Sequence, residues 1–380
     1  MPIDSKSFLT ALQNSGIQQY FGVPDSLLKD FLLVLNSEVQ GKEHISAANE
    51  GNALAMAAGF HLSTGGIAGV YLQNSGLGNI INPLLSLCAP EVYSIPAILL
   101  IGWRGETGKP DAPQHLVQGR VQPELLDSIG IESVVLSENP EEMRSQVTWA
   151  VQQSSESQSP VAIVVRKGTF TKENSSPDSD ENLTLGREEA LSQILKTCPP
   201  RAIFVSTTGK ISRELYEITD SLIGDHSGNF YTVGSMGHCS SIALGVAIGK
   251  PSKMTICIDG DGSMLMHMGA VPSVAKYAPS NFKHIIINNY AHESVGGQPT
   301  NIDSVNIPQL AKASGYTNTF LAQNSDELEE CLPTFWSSDG CSLLEVKVKV
   351  GSRPDLKRPE LSPVEYKQLF MSKMRDSCDG

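Results

Sequence analysis

Two stretches in the second half of the chain decide the fold: Met254-Thr-Ile-Cys-Ile-Asp-Gly-Asp-Gly-Ser263 and His284-Ile-Ile-Ile-Asn-Asn-Tyr-Ala291. Each begins with a short apolar run, which predicts a buried β-strand. A helical pattern of apolar residues follows Ser263, so the first stretch indicates a strand, a turn and a helix. The polar ends of both stretches therefore lie at the carboxyl ends of strands, where open α/β sheets bind their ligands.

The triplet Gly260-Asp261-Gly262 is suited to hold a charged ligand close to the backbone. Its glycines allow a tight turn, and the free N–H groups at the start of the following helix attract phosphate. Asp261 offers a carboxylate and Asn289 an amide oxygen, which Mg²⁺ accepts together with phosphate oxygens. The triplet alone would fit an ordinary strand-to-helix turn equally well. The Asn-Asn pair after the next strand favours a metal and diphosphate site.

The rest of the chain alternates between strand and helix patterns, which predicts βαβ units and parallel sheets. Residues 171–182 are polar and contain a proline, so an exposed linker is expected there. The expected fold class is α/β, with doubly wound parallel-sheet domains at 1–170 and 185–380, a linker at 171–184 and a C-terminal helix. Strands are predicted at Gln18–Val23, Ile67–Leu72, Ala97–Ile101, Ser133–Leu136, Val161–Val165, Ala202–Ser206, Phe230–Val233, Met254–Ile258, His284–Ile287 and Leu343–Val348, and helices at Ser26–Leu35, Glu50–Leu62 and Ser362–Met374.

Charge and cysteine content narrow the functional class. The 380 residues carry a net charge of -13, which disfavours a nucleic-acid or anionic-membrane partner. The seven cysteines form no CxxC pair, which indicates reduced thiols rather than a disulfide frame or a zinc site. The start of the chain lacks the pattern of a signal peptide, and no apolar run is long enough to span a bilayer. A cytoplasmic protein without a nucleic-acid or membrane partner is expected.

A third stretch, Ile45-Ser-Ala-Ala-Asn-Glu-Gly-Asn-Ala-Leu54, has a carboxylate, Glu50, at the start of a predicted helix. The helix dipole alone would also favour a carboxylate there. Together with Gly-Asp-Gly and Asn-Asn, however, this stretch resembles the signature of the thiamine-diphosphate-dependent 2-oxo-acid decarboxylases. The resemblance covers residues 1–170 and 185–365, and no middle domain separates the two parts.

The resemblance implies thiamine diphosphate and Mg²⁺ as cofactors. Asp261 and Asn289 would bind the metal through their side chains, and Ala291 through its backbone carbonyl. Glu50 would hydrogen-bond the aminopyrimidine ring, while Met236, in a loop that would also fit a core methionine, would separate the two rings. Further cofactor contacts would come from Thr208, Gly209, Gly234, Ser235, Gly260, Gly262 and Ser263, with Thr207 as an additional candidate. A homo-oligomer, at least a dimer with the active site between subunits, is also implied.

The resemblance is greatest to compact members of the family, which act on pyruvates that carry an anionic group at C3. It implies the non-oxidative decarboxylation of 3-phosphonopyruvate to phosphonoacetaldehyde and CO₂ through a thiamine ylide and an enamine. The alternative is the decarboxylation of sulfopyruvate, or of another 2-oxo acid, by the same thiamine-diphosphate chemistry. The stretches that favour the phosphonate are Phe21–Leu28, Gln73–Asn79, Gly102–Gly105, Gln114–His115 and His292–Thr300.

Several side chains are candidates for proton transfer and for binding the substrate. Asp25 and His115 are candidates for proton transfer, although an N-cap aspartate and a surface histidine would fit the same positions. Glu293, next to the predicted metal loop, is expected to line the active site and to help place the reacting centre. A phosphonate dianion needs cationic or N–H donors. The candidate donors are Arg104, Asn74, Ser75, Lys109 and Gln298, and solvated loop positions would fit Arg104 and Lys109 equally well.

Other classes of function fit the sequence less well. A nicotinamide dehydrogenase would need a Gly-x-Gly-x-x-Gly motif after a strand, and the chain has none. A non-catalytic binding protein of the same fold would be expected to have lost Glu50, Asp261 or Asn289, and all three are present.

Overall fold

The structure is a computed structural model that describes residues 1–39, 41–173 and 183–375. Most of the predicted linker, residues 174–182, lies outside the described residues. The chain divides into two compact units, Met1–Pro177 with Ser294–Gln298 and Asp178–Glu293 with Pro299–Gly380. Each unit is built on a six-stranded parallel sheet, which confirms the predicted α/β class.

In the sheet of the first unit, the order in which the chain adds strands reverses between the first strand and the third. Its strands are β1 Tyr20–Gly22, β2 His44–Ser46, β3 Gly69–Gln73, β4 Ile98–Gly102, β5 Ser133–Val135 and β6 Val161–Val165. They lie in the order β2-β1-β3-β4-β6-β5, and all neighbouring pairs are parallel. The chain moves outward from β1 in one direction to β2 and then in the other direction to β3. The loops after β1 and β3 therefore flank the point where the strand order reverses, which is the usual ligand site of such sheets.

Helices cover both faces of this sheet. They are α1 Ser5–Asn14, α2 Lys29–Glu38, α3 Glu50–Thr64, α4 Leu77–Pro83, α5 Pro113–Ser128 and α6 Pro140–Ser157. Alternate residues of β4 belong to different cores: Ile98 and Leu100 pack with α1, α2 and α6, whereas Leu99 and Ile101 pack with α3 and α4. This two-sided burial explains the continuous apolar run of the strand.

The second unit repeats this plan. Its sheet strands are β7 Ile203–Ser206, β8 Asn229–Tyr231, β9 Thr255–Gly260, β10 Phe282–Asn288, β13 Asn318–Ala322 and β14 Ser342–Lys347. Two short strands of the chain, β11 Ala291–His292 and β12 Gln298–Pro299, belong to neither six-stranded sheet. The order is β13-β14-β10-β9-β7-β8, again with parallel neighbours. Here the strand order reverses between β7 and β9, so the loops after these two strands flank the equivalent ligand position.

Helices also cover both faces of the second sheet. They are α7 Arg187–Thr197, α8 Lys210–Leu222, α9 Cys239–Gly249, α10 Asp261–Met266, α11 Ala270–Tyr277, α12 Ile307–Ser314, α13 Ser325–Ser337 and α14 Pro363–Arg375. In β9, Ile256 and Ile258 pack with α7, α8 and α13, whereas Cys257 packs with α9, α11 and α12.

Some elements differ from the sequence-based predictions. The short strands β2 and β13 were not predicted, because neither contains a sustained apolar run. Helix α2 begins at Lys29 rather than Ser26, because the Asp25 carboxylate accepts from the N–H groups of Leu27 and Leu28 and holds a turn there. Helix α14 begins as predicted after Ser362. None of the described helices is both long enough and apolar enough to cross a membrane.

Candidate active site

The first unit gathers predicted site residues at the carboxyl edge of its sheet. Asp25 follows β1, Asn74 and Ser75 follow β3, and Arg104 follows β4, while Glu50 begins the helix after β2. These four strands are neighbours in the sheet, so the loops that follow them form one continuous surface.

Glu50 is the first residue of α3 and is buried. The side chain of Asn49 caps the helix by accepting from the N–H of Asn52 at 2.9 Å. The Asn79 amide donates to Glu50 Oε2 at 2.7 Å. A Cβ atom at Gly76 would lie 2.3 Å from Glu50 Oε1, so the carboxylate needs a glycine beside it. Asn79 and Gly76 were not predicted as partners of Glu50, although both lie in the stretch Gln73–Asn79.

Asp25 is fully buried among neutral donors. Its carboxylate accepts from the N–H groups of Leu27 at 3.0 Å and Leu28 at 3.3 Å, and from Gln73 Nε2 at 2.5 Å. A Cβ at Gly102 would lie 1.9 Å from Asp25 Oδ2, so the carboxylate sits directly over the end of β4. Burial raises the pKa of Asp25, and these hydrogen bonds offset only part of the rise. Asp25 therefore stabilises the start of α2 and also has the environment of a proton donor.

Arg104 is held by partners in its own unit. Its Nε donates to Asp111 Oδ2 at 2.8 Å, Nη2 donates to the other oxygen of Asp111, and Nη1 donates to Ser26 Oγ at 2.8 Å. The Asn74 amide donates to the backbone oxygen of Arg104 at 2.7 Å and accepts from its N–H at 3.3 Å. Hydrogen bonding to Arg104 holds the pKa of Asp111 far below its usual range. Asn74 thus fixes the loop that carries Arg104, and Asp111 fixes its guanidinium.

The other substrate candidates have different environments. The Ser75 hydroxyl donates to Gln73 Oε1 at 2.9 Å, which links Ser75 to the amide that holds Asp25. His115 lies in the first turn of α5, where its backbone oxygen would be 1.9 Å from a Cβ at Gly105. Lys109 is exposed. The Gln298 side chain is buried, and neither of its polar atoms has a hydrogen-bond partner among the described residues.

The second unit brings Asp261 and Asn289 together at the ends of neighbouring strands. Asp261 begins α10 directly after β9, and Asn289 follows β10, which pairs with β9. The Thr300 hydroxyl donates to Asp261 Oδ2 at 2.7 Å. Burial raises the pKa of Asp261 to about 6, although hydrogen bonds from Thr300 and from the backbone of Gly262 and Asn289 act to lower it. All of these donors are neutral, so a cation would compensate the buried carboxylate.

The loop after β10 holds the Asn289 side chain by both of its polar atoms. Its Oδ1 accepts from the N–H of Ala291 at 3.2 Å, and its Nδ2 donates to Glu293 Oε2 at 2.9 Å. Between Asn289 and Ala291 in the sequence, Tyr290 adopts a φ of 60°, a left-handed conformation that few residues other than glycine take. The N–H of Tyr290 donates to Asn288 Oδ1 at 3.0 Å. Each side chain of the Asn-Asn pair therefore supports the backbone of this loop.

Hydrogen bonds also connect the other predicted cofactor loops of this unit. Ser263 Oγ accepts from Thr207 Oγ1 at 3.0 Å and from the N–H of Gly237 at 3.1 Å. Thr208 Oγ1 donates to the Val233 oxygen at 2.9 Å, so the loop that contains Gly234, Ser235 and Met236 is attached at both ends. Gly209 has a φ of 91°, a backbone conformation that favours glycine.

Besides the neutral amide of Asn289, the Glu293 carboxylate accepts hydrogen bonds from two cationic side chains. Arg187 Nη1 donates to its Oε2 at 2.5 Å, and Lys210 Nζ donates to its Oε1 at 2.8 Å. Burial opposes ionisation of Glu293, but the charges of Arg187 and Lys210 hold its pKa below the ordinary value. Arg187 and Lys210 were not predicted as site residues, because neither lies in a stretch that resembles a motif.

Comparisons with known proteins decide the family. A family model described as "Thiamine pyrophosphate enzyme, N-terminal TPP binding domain" matches residues 5–131, and one described as "Thiamine pyrophosphate enzyme, C-terminal TPP binding domain" matches residues 215–346. The phosphonopyruvate decarboxylase of Streptomyces hygroscopicus is 34% identical over 97% of this chain and 93% of its own length. This chain belongs to the thiamine pyrophosphate enzymes.

Two further relatives of this thiamine pyrophosphate enzyme span nearly the whole chain. The phosphonopyruvate decarboxylase of Streptomyces viridochromogenes is 33% identical over 97% of this chain and 94% of its own length. The sulfopyruvate decarboxylase of Methanosarcina acetivorans is 28% identical over 94% of each chain. Thiamine pyrophosphate is thiamine diphosphate, so the family resemblance, the fold and this cofactor are confirmed.

The residues of this thiamine pyrophosphate enzyme also fit a hard divalent cation beside the diphosphate. Asp261 and Asn289 lie within the matched C-terminal domain and present a carboxylate and an amide at adjacent strand ends. Mg²⁺ prefers such oxygen ligands. A Cβ at Gly262 would lie 3.0 Å from His292 Cε1, closer than an ordinary van der Waals contact, so the glycine leaves room for the His292 ring beside Asp261. Glu50 and Asp25 lie within the matched N-terminal domain.

Proposed function

We propose that this thiamine pyrophosphate enzyme decarboxylates 3-phosphonopyruvate to phosphonoacetaldehyde and CO₂. The proposal rests on the alignment with the Streptomyces hygroscopicus relative, which is named phosphonopyruvate decarboxylase and is 34% identical over 93% of its length. The Methanosarcina acetivorans relative named sulfopyruvate decarboxylase, which is covered over a similar length, is 28% identical, so the phosphonate is favoured over the sulfonate. Residues 1–170 would bind the pyrimidine and residues 185–380 the diphosphate, with the linker at 171–184 between them.

Mg²⁺ is the metal proposed for the diphosphate site, with Asp261, Asn289 and the backbone oxygen of Ala291 as its protein ligands. The neutral surroundings of the buried Asp261 carboxylate support this choice. Gly260, Gly262 and Ser263 would contact the diphosphate through the turn at the start of α10. Thr208, Gly209, Gly234, Ser235 and Met236 complete the proposed cofactor contacts.

Glu50 would hold a proton at a ring nitrogen of the pyrimidine, and Asn79 would keep the carboxylate in place. When bound, thiamine diphosphate supplies the electron sink that takes up the bonding electrons as CO₂ leaves. Asp25 is the first candidate for moving a proton to or from the substrate carbon, because burial raises its pKa toward the range of a proton donor. His115 is the second candidate, since its helix begins beside the Arg104 loop.

The phosphonate dianion would be recognised by the loops of the first unit. Arg104 would be the main cation, aimed by Asp111 and supported by Asn74. Ser75 and the exposed Lys109 are further donors. Gln298 is proposed because a buried amide without a hydrogen-bond partner among the described residues is costly unless a ligand satisfies it.

A homo-oligomer of at least two subunits, with the active site between them, is part of the proposal. It is supported by large apolar side chains on the outer faces of helices in both units. Leu62 on α3 is 70% exposed and Ile248 on α9 is 57% exposed. We place the reaction in the cytoplasm, because the six described cysteines are all free thiols. Light scattering on the purified holoenzyme tests the oligomer, and a monomeric mass would contradict it.

Parallel steady-state assays with phosphonopyruvate, sulfopyruvate and pyruvate test the substrate. The protein is supplied with Mg²⁺ and thiamine diphosphate, and aldehyde and CO₂ are measured. We expect kcat/KM to be greatest for phosphonopyruvate. The Arg104→Lys variant keeps the charge but loses the planar fork, so its KM for phosphonopyruvate should rise more than its KM for pyruvate. A preference for sulfopyruvate would overturn the substrate but leave the cofactor and reaction type in place.

A further inference from the structure

A buried cluster of two carboxylates and two cations lies behind the loop that carries Asn289. Arg187 Nε and Nη2 donate to the two carboxylate oxygens of Glu214 at 2.5 and 2.7 Å. Arg187 Nη1 and Lys210 Nζ donate to the two oxygens of Glu293 at 2.5 and 2.8 Å. The formal charges of these four residues cancel, which allows the cluster to be buried. Its side chains come from α7, α8 and the segment after β11, so the cluster is a rigid support.

Asn289 is the neutral side chain that this cluster holds. Glu293 Oε2 accepts from Arg187 and also from Asn289 Nδ2 at 2.9 Å. An ionised carboxylate can only accept, so it draws the NH₂ end of the Asn289 amide toward itself. The N–H of Ala291 then faces the oxygen end at 3.2 Å. Both neighbours therefore select the same orientation of an amide whose two ends have nearly the same shape.

We infer that Glu293 is a positioning residue for the cation site: held by Arg187 and Lys210, it fixes the Asn289 amide so that Oδ1 is available as a metal ligand. The inference rests on the proposed function, in which Asn289 binds Mg²⁺. In this role Glu293 acts through Asn289, and its two oxygens accept from donors within its own unit. The hydrogen bond to a carboxylate also polarises the amide and makes Oδ1 a stronger ligand.

Binding of Mn²⁺ in the presence of thiamine diphosphate tests the inference without an activity assay. Electron paramagnetic resonance reports free Mn²⁺, so a titration gives the Kd for each variant. Glu293→Gln should raise this Kd by about 10–100-fold, the usual effect of losing a residue that orients a metal ligand. Glu217→Gln is the matched control, because Glu217 is also paired with an arginine, Arg353, in the same unit. It should stay within about twofold of wild type.

A double-mutant cycle separates positioning from general support of the fold. Asn289→Ala removes the proposed ligand, so Glu293→Gln should add less than about twofold in that background. A further tenfold loss there would show that Glu293 acts independently of Asn289 and would overturn the inference. A wild-type Kd for Glu293→Gln would also overturn it. If wild type binds no Mn²⁺ with thiamine diphosphate, the proposed cation site itself fails.

Arg187→Lys provides a second variant if Glu293→Gln does not fold. Lysine keeps the charge but cannot bridge Glu214 and Glu293 as the guanidinium does, so the Mn²⁺ Kd should rise in the same direction. Circular dichroism confirms that each variant is folded at the temperature of the titration. A folded Arg187→Lys protein with the wild-type Kd would contradict the role of the cluster.

Discussion

Asp25 in the first unit and Glu293 in the second are both buried carboxylates near strand ends, but their donors differ. Asp25 accepts from two backbone N–H groups and from the amide of Gln73, all of which are neutral. Glu293 accepts from Arg187 and Lys210 as well as from Asn289. Burial raises the pKa of Asp25; it also opposes ionisation of Glu293, whose two cations nevertheless bring the pKa below the ordinary value.

This difference indicates two separate roles for the two carboxyl groups. A carboxyl group with a raised pKa can carry a proton to a reacting atom. A carboxylate that is paired with two cations stays ionised and is better suited to hold a neighbour in place. The same residue type thus favours proton transfer in one unit and positioning in the other. Neutralising or displacing Asp25 should therefore lower kcat, whereas removing Arg187, which supports Glu293, should lower the stability of the fold.

Asp25→Asn should produce the largest effect. The variant keeps the shape of the side chain but cannot transfer a proton, so kcat for phosphonopyruvate should fall by about 10²–10⁴-fold. Thiamine diphosphate and Mn²⁺ binding should not change, because Asp25 is not among the proposed ligands. Steady-state kinetics and Mn²⁺ titration measure the two quantities. A kcat within tenfold of wild type would assign the proton transfer to another residue, with His115 the next to test.

Arg187→Met should give the next largest effect, now on stability. Arg187 is 4% exposed, and its loss would leave the Glu214 carboxylate buried without its bidentate partner. The free energy of unfolding in urea should fall by about 3–5 kcal/mol. Arg353→Met is the control: Arg353 also forms ion pairs in this unit but is 42% exposed, so solvent screens them and its loss should lower the free energy of unfolding much less than the loss of Arg187. Equal losses of stability in the two variants would show that the buried ion pairs of Arg187 contribute no more to stability than the exposed ones of Arg353.

Gly102→Ala should move Asp25 without changing its chemistry. The added Cβ would lie 1.9 Å from Asp25 Oδ2, so the carboxylate has to shift. A displacement on the order of 1 Å should lower kcat by about 10²-fold. In Gly59→Ala, the matched control on α3, the new Cβ meets no atom within 4 Å, and activity should be unchanged. Wild-type kcat in Gly102→Ala would show that the position of Asp25 is not important.

The pH dependence of stability should give the smallest effect. The pKa of Asp25 is higher in the folded state than the ordinary value of 3.8, so between these two pKa values the folded state binds more protons. Wild type should therefore lose stability relative to Asp25→Asn as the pH rises from the ordinary pKa of Asp25 through its higher folded-state pKa. Urea unfolding of both proteins at several pH values measures this. A difference that is constant or changes in the opposite direction would contradict the raised pKa.

The part of the site that could be predicted from sequence is local in the chain. Asp261 and Asn289 each directly follow an apolar strand, so the strand pattern alone predicted that they would lie at one sheet edge, and β9 and β10 are neighbours. Glu50 was predicted as a cofactor contact because it lies in a recognisable stretch at a helix start. These features depend on a few consecutive residues and on a common rule for parallel sheets.

The supporting contacts could not be predicted, because they join residues that are distant in sequence. Arg187 and Glu293 are 106 positions apart, Asp261 and Thr300 are 39 apart, and Glu50 and Asn79 are 29 apart. An arginine at a helix start fits a solvated surface equally well until the packing of the unit is known. The pairing of Arg104 with Asp111 was missed although the two are only 7 positions apart, because an irregular loop brings them together.

A ³¹P NMR time course of the wild-type holoenzyme with phosphonopyruvate tests the proposed reaction. We expect the phosphonopyruvate resonance to be replaced by that of phosphonoacetaldehyde only when both thiamine diphosphate and a divalent cation are present. In Glu50→Gln, with cofactor bound, the conversion should be slower by about 10²-fold or more. An unchanged phosphonopyruvate resonance in the cofactor-loaded wild type would contradict the proposed reaction.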